Sequence, residues 1–202
     1  MTPNFLVASR ALLGLALTAV VTACSTTSVP PPAAGESTAA HVRIAIAGVV
    51  VAPPPGAEWS IADVKARSVV YARSGPRPDN RWAAWVQVVE WVEPVEGYYQ
   101  LARFVSRLTE VESVRRPTSE QDLIEPVSTA RATCLRRTMR GTSATTASMS
   151  RAVDYFCRHP TERQSIVHVH LSQADAPGGA LADVDTVAAR FFSTIGFATT
   201  AR

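Results

Sequence analysis

The chain has 202 residues, with 20 Lys and Arg against 17 Asp and Glu, and a formal net charge of +3. So small an imbalance argues against nucleic acid as a partner. An apolar content of 47 % argues against disorder outside a short tether. Removing an N-terminal leader and tether leaves roughly 160 residues, enough for one domain with its own core.

The first segment reads as an address. Residues 1–10 carry one positive charge, Arg10, and no acid. Residues 11–23 form an uncharged, mostly apolar run of signal-peptide length, short of the about 20 residues that span a bilayer. The run ends in Val21, Thr22, Ala23 and Cys24. This resembles the lipobox of bacterial lipoproteins, in which the chain is cut before the cysteine and the thiol receives lipid. The expectation is a signal peptide over 1–23, with Cys24 as the lipidation site and the membrane engaged through the N-terminal acyl chains. Two or three such chains, at about 0.8 kcal/mol per buried CH₂, hold a protein firmly. Ser25 in the next position resembles the sorting signal of Gram-negative lipoproteins bound for the outer membrane, facing the periplasm. Residues 24–40 are mostly Ser, Thr, Pro and Ala, with Glu36 the only charge, and Pro30, Pro31 and Pro32 stiffen a flexible tether.

The folded part, 41–202, begins with a strand over 42–51, broken by Pro53, Pro54, Pro55 and Gly56. Trp59 and Ile61 are expected to plug one end of the core, with a second strand over 64–73. The strongest strand pattern is 82–92 (WAAWVQVVEWV), apolar on both faces and therefore central. A helix follows, with Tyr98, Leu101, Val105, Leu108 and Val111 as its stripe, and Ser119 to Ile124 reads as a short turn of helix. Two strands, 128–139 and 151–158, flank a polar turn over 141–150. Another strand, 166–172, alternates Val167, Val169 and Leu171 inward against His168 and His170. A last helix covers 181–195 on the stripe Leu181, Val184, Val187, Phe191 and Ile195, and Gly196 stands in the C-cap position. The order β-β-β-α-β-β-β-α with hairpin-length connections predicts an α+β fold, an antiparallel sheet with helices packed on it.

Cys134 and Cys157 are equidistant from the middle of the polar turn. In an antiparallel hairpin they face each other at a separation a disulfide bridges. Lipidation of Cys24 leaves only this pair, in a compartment where disulfides persist. The alternative is two reduced thiols packed as small apolar residues.

Several short motifs carry a family resemblance: Pro54, Pro55, Gly56 and Trp59; Ala132-Thr133-Cys134; Cys157-Arg158-His159-Pro160; and Phe192 to Phe197. Together they resemble proteobacterial lipoproteins of uncharacterised role whose layout is similar to the Mog1/PsbP group. That resemblance implies an α-β-α sandwich and a binding or assembly factor rather than an enzyme. It carries over no functional residue beyond the lipobox and the cysteine pair.

Candidate chemistry is sparse. The sequence lacks the nucleophile elbow, the Gly-rich phosphate loop and the HExxH zinc motif. Carboxylates such as Asp154 and Glu162 sit among arginines and read as salt-bridge partners, so no catalytic residue and no cofactor is expected. His168 and His170, two apart on a strand, leave the same face and are the weak metal candidates; zinc needs at least one more ligand, and exposed-face histidines are the expectation. Arg131, Arg136, Arg137, Arg140, Arg151 and Arg158 crowd one stretch, either as solvated strand faces or as an anion-facing patch for an anionic envelope component. The resulting expectation is a lipid-anchored, non-catalytic binding or scaffolding module for an envelope protein. The alternative is an envelope hydrolase or metal-binding protein using the His168/His170 strand.

Overall fold

A computed structural model describes residues 42–56, 59–75, 80–115, 119–129, 132–142, 148–175 and 183–197. Among the described residues, ten strands and two helices run in the order β1 (Ile44–Ile46), β2 (Val49–Val51), β3 (Ser60–Lys65), β4 (Ser68–Ser74), β5 (Arg81–Glu90), α1 (Tyr98–Arg115), β6 (Ser119–Ser128), β7 (Thr133–Thr142), β8 (Met149–Arg158), β9 (Ser165–Asp175), α2 (Val184–Thr194) and β10 (Gly196–Phe197). Seven of the strands form one antiparallel sheet in the order β3-β4-β5-β9-β8-β7-β6, and β1-β2-β10 form a small second sheet. The α+β class expected from the sequence holds. Among the described residues no helix is long and apolar enough to cross a membrane.

The N-terminal strand is in fact a hairpin. Ala47 (φ 41°) and Gly48 (φ 77°) form a two-residue turn between β1 and β2, both in the left-handed region that primed hairpin turns require. Gly48 enters that region without steric cost, whereas Ala47 does not. The buried His159 supports the turn: its Nε2–H donates to the Ala47 carbonyl at 2.8 Å. The single strand expected over 64–73 is likewise two strands, β3 and β4, paired from Lys65 opposite Ser68.

Two cores lie on the two faces of the large sheet. On one face α2 and the small sheet cover Val69, Tyr71, Val86, Val153, Tyr155, Val167 and Val169, and Trp59 plugs this core as expected. On the other face Leu101, Phe104 and Val105 of α1 pack on Leu135, Phe156 and Ile166. Burying side chains of this size contributes about 1.5–3 kcal/mol each. The α1 stripe is narrower than expected, since Tyr98 and Val111 are exposed and Phe104 takes their place in the core. Gly97 stands just before α1, and Gln100 reaches back to accept from its N–H at 3.1 Å.

Two expected helical features are corrected. Residues 119–124 belong to edge strand β6, which pairs with β7 along 119–128 across one register shift; extending the sheet satisfies more backbone groups than an isolated helical turn does. Gly196 is no left-handed cap, because α2 ends on an extended Ile195 and Gly196 opens β10. The start of α2 is fixed by Asp183, whose carboxylate accepts from the Thr186 N–H at 3.1 Å. Leu181 lies outside the described residues.

Candidate functional site

The middle of the large sheet carries polar groups where a core is expected. Direct register pairs set Trp85 of β5 opposite His170 of β9, His170 opposite Asp154 of β8, and Asp154 opposite Arg137 of β7. These four side chains form one row on the face that α1 covers. Strand alternation then places His168, two residues from His170, on the same face.

Asp154 is the hub of the row. Its side chain is fully buried, as is Arg137 to within 1 %. One carboxylate oxygen, Oδ2, accepts from Arg137 Nε at 3.0 Å and Nη2 at 2.7 Å. The other, Oδ1, accepts from His168 Nε2 at 2.9 Å and His170 Nδ1 at 2.7 Å. An ionised carboxylate only accepts, so these two imidazoles carry their protons at Nε2 and Nδ1 respectively. The free Nη1 of Arg137 donates to Glu112 at 2.9 Å and Thr109 at 3.2 Å, both on α1. The row therefore ties the helix to the sheet. Trp85 stacks on His170 at 4.9 Å and meets His168 edge-on at 4.2 Å.

The electrostatics follow from this geometry. Burial alone pushes the Asp154 carboxyl up, but His170 and His168 outweigh it and hold the group well below its ordinary 3.8. Burial dominates at His168 and lowers its imidazole below 6.5 despite Asp154. For Arg137, burial works against the charge and is overcome by Asp154 and Glu112, which raise it. The arrangement can hold charge, hold a proton, or offer three donor atoms to a cation: one ligand atom from each of Asp154, His168 and His170 lies within 4.8 Å of the other two.

This corrects the expectation that His168 and His170 are exposed-face histidines. His168 is buried and the His170 side chain is 14 % exposed, because the rings of Trp85 and Phe156 pack against them on this face. The two carboxylates expected as salt-bridge partners do face arginines: Asp154 bonds Arg137 at 2.7 Å, while Glu162 accepts from Arg67 at 3.1 Å and from Ser165 at 2.7 Å.

The crowded arginines are divided between faces. Arg137 points under α1, whereas Arg136 and Arg151 both bond Asp185 in the first turn of α2, and Arg136 also bonds Glu125 at 2.6 Å. Arg140 and Arg158 are exposed. Cys134 and Cys157 face each other across β7 and β8 and are joined, with a Cα separation of 4.0 Å. Cys24 and Arg131 lie outside the described residues.

No family model matches the chain, and no curated protein matches it either. Solved structures do. The chain is similar to a point mutant of the protein Mog1, at 13 % identity and a TM-score of 0.50, covering 79 % of this chain and 97 % of that one. It is similar also to the Saccharomyces cerevisiae Ran-binding protein Mog1p, at 12 % identity and a TM-score of 0.50, covering 79 % and 96 %. At such identity the likeness establishes a Mog1-like fold and nothing further.

Proposed function

We propose that this chain is a lipoprotein held through Cys24 on the periplasmic side of the outer membrane, and that its Mog1-like domain is a non-catalytic module binding an envelope protein. The observation that carries the binding reading is the corner where β5 gives way to α1. Val92 is 83 % exposed there and Tyr99 71 %. Arg103 joins Tyr99 to Glu93, with its guanidinium 6.0 Å over the Tyr99 ring and 2.8 Å from the Glu93 carboxylate. An aromatic and a branched apolar residue with a charged rim have the composition of a protein interface. A fold that serves a Ran-binding protein elsewhere supports a protein partner. The arginines favour a protein over an anionic component, since Arg136, Arg137 and Arg151 already engage carboxylates of this chain.

The address is tested at Cys24. Cys24→Ala is expected to abolish acylation and move the whole population from the membrane to the soluble fraction, read by fractionation and by mass of the N-terminal peptide. A wild-type chain that is unacylated, with its mature N-terminus elsewhere than residue 24, contradicts the proposal.

A further inference from the structure

We propose that Asp154, His168 and His170 form a binding site for one divalent transition-metal ion, with zinc the best suited. The inference does not depend on the partner-binding reading. Among the described residues this is the one group of three His, Cys, Asp or Glu side chains placed to share an ion. The ligands stand on the central strand β9 and its neighbour β8, with Asp154 directly opposite His170 and His168 two residues along. Ligands on paired strands are held more precisely than ligands on loops.

The distances suit a small ion. Asp154 Oδ1 is 2.9 Å from His168 Nε2 and 2.7 Å from His170 Nδ1. A tetrahedral zinc with bonds of about 2.0 Å separates its ligand atoms by about 3.3 Å. The two short contacts need to widen by roughly half an ångström, within reach of side-chain torsions. The ion takes the place of the two N–H hydrogens now shared with Oδ1. Each imidazole stays neutral by carrying its proton on its other nitrogen, Nδ1 in His168 and Nε2 in His170.

The surroundings match those of a metal ligand. Arg137 grips Oδ2 through two N–H groups, which orients the carboxylate and leaves Oδ1 for the ion; such outer bonds are what fix ligating carboxylates. With both imidazoles neutral, as metal ligands are, the cluster holds two carboxylates, Asp154 and Glu112, against one guanidinium, one negative charge that a cation answers. Two imidazoles and one carboxylate select zinc or a neighbouring transition metal over calcium or magnesium, which take oxygen ligands. Three protein ligands leave a fourth position for water or a partner's side chain. Entry is from the side of His170, the one ligand with appreciable exposure. Among the described residues the other cysteines and histidine are committed elsewhere: Cys134 and Cys157 to each other, and His159 to the Ala47 carbonyl and the Glu162 N–H.

The test uses the purified full-length chain, stripped with a chelator and titrated with cobalt(II), then zinc(II). The expected result is one cobalt per chain, with the strong visible absorption of a four-coordinate site, displaced by one equivalent of zinc. His170→Asn is expected to weaken binding at least about 100-fold, at or beyond the upper end of what an outer-sphere change costs, while His41→Asn leaves it unchanged. Nitrogen NMR of the wild-type imidazoles reads the site even where a variant fails to fold: zinc must shift His168 Nε2 and His170 Nδ1 and leave His159 unmoved. Absence of saturable binding in the wild-type chain, equal binding by His170→Asn, or unshifted His168 and His170 nitrogens overturns the proposal.

Discussion

Asp154→Ala is expected to destabilise the domain by about 3 to 5 kcal/mol, the usual cost of removing one partner from a buried ion pair. The change removes the acceptor for four N–H groups at once. It leaves Arg137, 1 % exposed, with Glu112 as its only carboxylate, and it strands the Nε2–H of the buried His168. In a domain of this size the loss amounts to about 10–15 °C in Tm. The double change Asp154→Leu with Arg137→Met removes both charges and fills the space, so it is expected to recover a large part of the loss. Thermal melts of the three chains decide the point. A single variant within about 1 kcal/mol of wild type shows that the row holds nothing together.

The same row sets an acid sensitivity with a definite sign. His168 is held below 6.5, so below about pH 6.5 the unfolded chain binds the proton more readily and stability falls with pH. Asp154 is held well below 3.8; its contribution is present above about pH 4 and is lost as pH falls further. Wild-type melts from about pH 7.5 downward should therefore decline in two stages, and Asp154→Ala should show a smaller second stage, that of Glu162 and Asp183, whose carboxyls are also held low.

Reduction of the Cys134–Cys157 bond is the second large effect. Closing a loop with a sequence separation of 23 stabilises by about 3 kcal/mol through the unfolded chain, or about 5–10 °C in Tm. The pair sits in the larger core, below α2. It links the strand carrying Arg136 to the strand carrying Arg151, and both arginines anchor Asp185 at the start of α2. Reduction is therefore expected to loosen α2 before α1, seen as faster amide exchange over 184–194 than over 98–115. Equal melting with and without reductant contradicts this, as do free thiols in chain isolated without reductant.

Much of this was readable in the sequence where pattern and physics coincide. The two-sided apolar run of β5 announces a central strand, and the equal spacing of Cys134 and Cys157 about a polar turn sets their register. The β1–β2 turn was hidden because Ala47, not a glycine or asparagine, takes the first left-handed position. Strand β6 was hidden because it is an edge strand, with Leu123 and Ile124 both exposed, so no alternation marks it. The candidate site was half legible. The spacing of His168 and His170 sets both on one face of a strand, but strict alternation reads as a face open to water. Strand β9 is covered on both faces, by α1 and by α2. The available signal was Asp154 itself, an acid within the otherwise apolar run Ala152–Cys157, with Arg137 at the matching position of the partner strand.

The central claim, a tethered domain that binds an envelope protein, is tested most directly by photo-crosslinking in intact cells from position 99, with position 65 on the far edge strand as control. The account predicts one discrete protein adduct from position 99, absent from position 65 and reduced when Cys24→Ala frees the domain from the membrane. No adduct from position 99, or the same adducts from both positions, contradicts it.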